Sequence, residues 1–531
     1  MHCVPCKCRS IDLQRPILIK GLSLYFNGHT MLGSFGVAPR GSAVNPGCRS
    51  GNPQASLANM SDLERRADPV PEIGRTKSKR IVLAASALLL FALFRWVLPI
   101  GLLPAAAGLD PDALALGLGI FACVAFLWVT EAMPLAATSL LVPLLAILGG
   151  IQSPRDAFAS FADPLIFLFF GGFVVAAAMS RQGVDHTLAL ALVRLGGGSF
   201  IRTSVCLFVA TAFISMWMNN TATTAMMLPM AMGILRHHAD DDHDAPRRQF
   251  LVLGLAYAAS IGGLGMIIGS APNVIAAKEL GLSFTAWMRF GLPVVIFGMP
   301  LMILILIAVV RPSEIRIHAP STKGGEHHPQ RTLTIAIFLA TAVCWLLGGW
   351  IGPLVGVTQS FDTLVGITAC IALLLTRCVA WDDVQHTTEW GVLILFGGGI
   401  ALSVLLKETG TSLFLARCIT SLTQGWPLFL MLLAVITFVI FLTELMSNTT
   451  VAALLVPIFA ATAQETGADP ARLILPVALA ASCGFMMPIG TPPNAMVFAS
   501  GHVTQRRMMS AGVWVNLGFV ILLSVLSWLL F

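Results

Sequence analysis

Residues 215–231 read SMWMNNTATTAMMLPMA, and residues 444–458 read ELMSNTTVAALLVPI. In each, a polar triplet interrupts an apolar run: Asn219, Asn220 and Thr221 in the first, Ser447, Asn448 and Thr449 in the second. The apolar segments beside the first triplet, 203–218 and 222–235, are each too short to cross a hydrocarbon core of about 30 Å at about 1.5 Å per residue. Arg202 precedes the pair and Arg236 follows it. Two half-length helices joined by a polar tip predict a re-entrant hairpin over 203–235, entering from the basic side. The pattern recurs over 426–463, with arms 426–443 and 450–463.

The surrounding composition fits a membrane setting. Of 531 residues, 56% are hydrophobic and 11% charged, against roughly a quarter charged in an average soluble domain. Mean hydropathy is +0.83. These values exclude a soluble enzyme, a disordered chain and a disulfide scaffold, and predict an all-α polytopic membrane protein. The net charge of +6 is accounted for by loops and the N-terminal tail, and does not point to nucleic acid. Full spans are expected near 81–103, 112–130, 134–151, 163–181, 287–311, 331–350, 361–379, 389–406 and 510–530.

Each hairpin is followed by a long apolar stretch with a break. In 249–279 the break is Gly269-Ser270-Ala271-Pro272-Asn273; in 472–501 it is Gly490-Thr491-Pro492-Pro493-Asn494. Gly and Pro unwind a helix and free backbone groups, which membrane depth tolerates only inside protein or along a cavity. Asn220 matches Asn448 at an offset of 228, Asn273 matches Asn494 at 221, and Phe170-Gly171-Gly172 matches Phe396-Gly397-Gly398 at 226. The expected organisation is a polar, disordered tail (1–80), a first span and loop (81–111), one repeat (112–311), a cytoplasmic linker (312–330) and a second repeat (331–531). Five crossings per repeat make the second copy inverted, the pattern that marks a transporter binding site.

Lys and Arg set the orientation. With the N-terminus inside, seventeen flank the cytoplasmic ends, Arg247, Arg248, Arg506 and Arg507 among them, and six the other side. The C-terminus is then outside, in a bacterial inner membrane. The tail lacks an apolar signal-peptide core, and Met60 opens a plausible shorter chain running straight into the first span. The Cys3, Cys6, Cys8 cluster lacks a partner pair at zinc spacing, and the cysteines in apolar segments read as small packed hydrophobes.

Across 203–235, 249–277, 426–463 and 473–505 the only formally charged side chain is Glu444. No Lys or Arg waits there for an anion. Helix N-termini with Ser, Thr and Asn donors can hold a carboxylate, and unwound carbonyls and amide oxygens can hold sodium. A bound cation would supply the positive charge the protein lacks. Polar residues that only glue helices together are the bland alternative, weakened by the matched recurrence of both triplets and both breaks. Glu444 reads as a proton site, a structural anchor or a cavity-facing group. Glu131 reads as a span-end anchor, Arg95 as a snorkelling or neighbour-facing residue, and His502, His237, His238 and His243 as solvated loop residues. The apolar segments hold no His pair, HExxH or paired carboxylates, so they offer no machinery for an intramembrane enzyme.

Over about residues 85–531 the chain resembles the divalent anion:sodium symporters, which carry dicarboxylates, citrate or sulfate. The resemblance rests on the two quoted stretches, GSAPN (269–273), GTPPN (490–494), WVTEAMP (128–134) and WGVLILFGGGIAL (390–402). It implies eleven spans plus two re-entrant hairpins in a homodimer, with scaffold and transport domains working as an elevator. It implies no cofactor beyond sodium as coupling ion, with a small dicarboxylate as substrate. One sodium would be held by Ser215, Asn220 and the Gly269 region, the other by Thr443, the Met446 backbone, Asn448 and the Gly490 region. Substrate carboxylates would meet Asn219, Asn220, Thr221, Ser447, Asn448 and Thr449, with Ser270, Thr491 and Pro492 alongside. Two departures stand out: the family's Ser-Asn-Thr is Asn-Asn-Thr at the first tip, and Ala271 stands where the second break has Pro492. The family also contains sodium-independent exchangers, and oxyanion transport is a further alternative.

Mass spectrometry of natively expressed protein should find an N-terminus at Met60; an intact Met1 peptide refutes the shorter start.

Overall fold

A chain this apolar must satisfy its backbone internally, and helices do so segment by segment. The computed structural model describes residues 77–99, 104–235, 245–316, 329–357 and 359–530. The proposed tail and Met60 start, the His237, His238, His243 cluster and most of the linker lie outside them. Residues 81–531 form one unit, and of the preceding residues only 77–80, the start of α1, are described.

In chain order the helices are α1 (Lys77–Ala92), α2 (Pro111–Thr130), α3 (Leu135–Leu148), α4 (Pro154–Ala159), α5 (Pro164–Arg181), α6 (Val184–Arg194), α7 (Phe200–Trp217), α8 (Asn220–Leu235), α9 (Ala245–Gly263), α10 (Ala271–Leu280) and α11 (Phe284–Val310). The second half holds α12 (Arg331–Leu346), α13 (Gly348–Leu354), α14 (Phe361–Leu375), α15 (Trp381–Thr387), α16 (Trp390–Glu408), α17 (Thr411–Leu422), α18 (Leu428–Thr443), α19 (Asn448–Thr466), α20 (Pro470–Ala481), α21 (Pro492–Ala499) and α22 (Gln505–Leu530). Among the described residues seven helical segments are long and apolar enough to cross a membrane, or eight counting one bent pair. Helices stand at all nine expected spans, but Leu135–Leu148 and Phe361–Leu375 are too short to count among the seven, whereas Phe200–Trp217, expected as a half-length hairpin arm, is one of them.

Local sequence explains several starts. Asp110, Ser153, Asp163 and Asp469 each cap the following helix through the side chain, and a Pro occupies the first turn. The side-chain oxygen takes an orphan N–H, and proline is tolerated there because it has no N–H to lose. Glu131 lies at the end of α2 in the left-handed region (φ 47°), and Arg95 pairs with Asp112 at 3.2 Å.

The 331–350 span departs from expectation. It bends by 87° between α12 and α13, at Leu347-Gly348-Gly349. Thr285 takes the carbonyls of Trp345 and Leu346 freed at the bend, at 3.0 and 3.3 Å, and the Trp345 indole donates to Asp362 O at 2.9 Å.

The helices pack in two groups. One gathers α7–α11 with α18–α22; the other holds α2, α3, α5, α12, α14 and α16. Within the first group the chain halves interlock: α10 packs on α19 and α20, while α21 packs on α8 and α9. The end of α10 fastens to the second group, Lys278 pairing with Asp163 at 2.5 Å and Glu279 with Lys407 and Ser403. At the start of the linker, Glu314 accepts from the N–H groups of Phe200 and Ile201 at 2.8 and 3.2 Å, capping α7.

Glycine permits close helix approach. A Cβ on Gly171 of α5 would lie 2.8 Å from the Gly366 backbone of α14, and small residues are what allow such contact between membrane helices. Gly171→Ala should therefore cost about 1–3 kcal/mol by overpacking, seen as a lower unfolding temperature in detergent; unchanged stability would show that the interface yields.

Candidate functional site

The two polar triplets sit where one helix stops and the next starts. Between α7 and α8 the break is Met218-Asn219; between α18 and α19 it is 444–447. At the first, Ser215 Oγ donates to Ala259 O at 2.7 Å and lies 2.7 Å from Asn220 Oδ1. At the second, Thr443 Oγ1 lies 2.7 Å from Asn448 Oδ1 and donates to Ala481 O at 2.7 Å. The same hydroxyl–amide–carbonyl constellation thus occurs twice, at matched positions.

The breaks after the hairpins are matched as well. Asn273 Nδ2 donates to the carbonyls of Gly263 and Met266, both at 2.8 Å. Asn494 Nδ2 donates to those of Gly484 and Met487, both at 3.1 Å. Each amide reaches back across its unwound segment and ties it shut, while its own Oδ1 stays buried without a partner. The breaks begin earlier than the Gly/Pro runs suggest. Helix is lost after Gly263 and after Ala481, and the prolines sit in the first turn of α10 and α21. Proline marks where the next helix begins, because its fixed φ suits a first turn.

Asn220 shows what the first constellation accepts. With Oδ1 inward, it faces Ser215 Oγ and the carbonyls of Ala259 and Gly269; turned over, Nδ2 would donate to them at 2.7, 2.9 and 3.3 Å. A position ringed by acceptors is satisfied by an N–H group or by a cation. Hydroxyl, amide and carbonyl oxygens without sulfur or imidazole form the donor set of a hard cation. Gly263 keeps this position open, since its Cβ would fall 2.3 Å from Asn220 Oδ1.

The structure therefore brings Ser215, Asn220 and Gly269 together, and likewise Thr443 and Asn448. Met446 is buried, and Gly490 lies against Glu444, 3.1 Å from Oε2 to a built Cβ. Among the described residues the hydroxyls of Thr221, Ser447 and Thr449 make no hydrogen bond, which leaves them available at the tips. Ser270 bonds instead to Ser482 Oγ at 3.0 Å, linking the two breaks. Thr491 caps α21 through Asn494 N, and Pro492 is exposed. A cavity of about 490 Å³ lies apart, lined by Asp163, Lys278, Asp362 and their neighbours and by none of the tip residues.

Of the roles open to Glu444, the geometry supports an anchor. Its carboxylate is 3% exposed and accepts from Met486 N, Met487 N and Asn516 Nδ2 at 2.7, 2.8 and 2.7 Å. It holds the unwound strand of the second break. At the matched position of the first break stands Met216, packed over Gly265. Sequence reasoning missed Asn516, Ser482 and Glu389. Glu389 accepts from Asn219 Nδ2 at 3.0 Å, a pairing across 170 residues that no local pattern announces.

Residues 125–471 and 431–531 match the citrate transporter family. An uncharacterized transporter of Haemophilus influenzae is 44% identical over 420 residues, 78% of this chain and 91% of the relative. The sodium-dependent dicarboxylate transporter SdcS of Staphylococcus aureus is 34% identical over 432 residues, 75% of this chain and 82% of the relative. Its namesake in Staphylococcus saprophyticus is 32% identical over 448 residues, covering 78% and 85%. Among solved structures, the YdaH transporter of Alcanivorax borkumensis superposes with a TM-score of 0.52 at 14% identity, over 76% of this chain and 98% of that one, a likeness of fold.

Glu444→Ala leaves three buried donors unmatched, so it should cost about 3 kcal/mol or more. Asn516→Ala should cost clearly less. Unfolding temperatures in detergent without sodium compare them, and equal losses would dismiss the anchor.

Proposed function

Because the chain belongs to the divalent anion:sodium symporter family, we propose that it is a secondary active transporter coupling sodium entry to uptake of small di- or tricarboxylates, chiefly C4 acids of the succinate, malate and fumarate type. One observation carries this reading. The same oxygen constellation is built twice, around Asn220 and around Asn448, beside tips with free hydroxyls and no basic side chain.

The chemistry follows from that arrangement. An anion needs positive charge or many donors, and here α8 and α19 offer N-termini while Thr221, Ser447 and Thr449 offer hydroxyls. Sodium at Ser215, Asn220 and Gly269, and at Thr443, Met446, Asn448 and Gly490, would bring the missing charge to within a residue or two of the tips. Asn219, Asn220, Thr221, Ser447, Asn448 and Thr449 would then meet the substrate carboxylates, with Ser270, Thr491 and Pro492 nearby. Anion binding would depend on cation binding by direct electrostatics, and the linkage is reciprocal. The SdcS relatives, named as sodium-dependent dicarboxylate transporters, support both the ion and the substrate class.

The finer architecture belongs to the same proposal: eleven spans, two re-entrant hairpins at 203–235 and 426–463, and inverted repeats. The α7–α11 and α18–α22 group would move as the transport body of an elevator against a scaffold that pairs in a homodimer. The protein would sit in the plasma membrane with its N-terminus cytoplasmic and its C-terminus outside.

Purified protein in proteoliposomes should take up labelled succinate or malate under an inward sodium gradient, without internal substrate and not under potassium. Uptake that requires internal dicarboxylate and ignores sodium would make the protein an exchanger. Asn220→Ala and Asn448→Ala should each lower sodium-driven uptake by about tenfold or more while folding normally; wild-type uptake by either variant would count against the site.

A further inference from the structure

The two tips are matched in backbone but unequal in charge. At position 219 this chain has Asn where the second tip has Ser447. Asn219 Oδ1 accepts from Ala222 N at 2.6 Å and so caps α8. Its Nδ2 is left to reach the residue immediately before α16, donating to Glu389 Oε1 at 3.0 Å. A serine at 219 is too short to cap the helix and contact Glu389 together. The Asn is therefore what ties a carboxylate to the first tip.

The helices α5 and α16 carry the matched Phe-Gly-Gly motifs, and the offset of 226 sets Glu389 opposite Asp163. Asp163 is neutralised by Lys278 at 2.5 Å. Glu389 has no basic side chain at ion-pair distance among the described residues, and its Oε2 makes no hydrogen bond there. The first tip thus carries a carboxylate with one acceptor oxygen still available, whereas beside the second tip both oxygens of Glu444 are turned onto Met486 N, Met487 N and Asn516 Nδ2.

We propose that Glu389, acting with Asn219, is a specificity-determining residue that favours a substrate presenting a hydroxyl donor at the first tip. This rests on the reading of the first tip as part of the substrate site. The physical reason is that Glu389 is only half-buried yet offers Oε2 as an acceptor with no protein partner among the described residues, so a ligand that supplies a donor there gains a hydrogen bond that an unsubstituted acid cannot make. The substrate class is hydroxy-substituted C4 dicarboxylates, preferred over the unsubstituted acids.

The experiment compares sodium-driven uptake of malate and succinate by wild type, Glu389→Gln and Asn219→Ser in proteoliposomes, read as the ratio of their kcat/KM values. Wild type should favour malate. Glu389→Gln should lower the malate-to-succinate ratio by at least about fivefold, Asn219→Ser should move it the same way, and the double variant should go little further than Glu389→Gln. A general folding role would lower both uptakes and leave the ratio alone. A ratio in Glu389→Gln within about twofold of wild type overturns the inference. Should that variant fail to reconstitute, an unmoved ratio in Asn219→Ser overturns it equally. Wild-type uptake of both acids with an unmoved ratio defeats this inference alone; absence of sodium-driven uptake of either acid defeats it together with the symport reading.

Discussion

Unwound backbone at membrane depth has no water to satisfy it, so each break must be closed by groups the chain supplies. Here a single asparagine does this at each break, its amide bridging two carbonyls on the far side of the unwound strand. With the carbonyls held in place, the neighbouring hydroxyl and amide oxygens keep a fixed geometry beside the tips. The ion and anion chemistry proposed for those tips presupposes this brace.

Symmetry then explains why the two halves need each other. Helix α10 packs on α19 and α20, and α21 packs on α8 and α9, while Ser270 and Ser482 join the breaks directly. The symmetry is incomplete where function has room to differ. Glu444 anchors the second break through backbone N–H groups, whereas Met216 and Gly265 fill the matching place by packing alone. Glu444 spends both carboxylate oxygens on the second break, while Glu389 meets the first tip through Asn219 with one oxygen left over, which makes the two electrostatically distinct.

Much of this was legible in the sequence because it is local. Polar triplets inside apolar runs marked the helix breaks, and helices stand at the nine expected spans, although Leu135–Leu148 and Phe361–Leu375 fall short of a crossing length and Phe200–Trp217, expected as a half-length arm, reaches it. Offsets of 228, 221 and 226 paired the halves. What stayed hidden was tertiary. Prolines marked the resumption of helix and so misplaced the centre of each break. The carbonyls that Asn273 and Asn494 grip lie seven and ten residues upstream, and nothing in their types announces it. Asn219 was conspicuous as a departure, but its partner Glu389 lies in a distant helix. The bend after Leu346 is held by Thr285, 60 residues upstream of Trp345, which no local pattern reveals.

The interlocking has a consequence for biosynthesis. Helix α10 is made long before the helices that cover it: Leu280 and Asn448 are separated by nearly 170 residues, which at about 5–20 residues per second is roughly ten to thirty seconds of translation. During that interval the first break has its own asparagine brace but lacks the α19 and α20 surface. A nascent chain in the bilayer therefore carries a polar, half-covered segment that must be sheltered by the insertion machinery or kept near the interface. The packing around the first break closes only when the second half arrives, so truncated or stalled chains would be recognisable to quality control by the very residues proposed to serve transport in the finished protein.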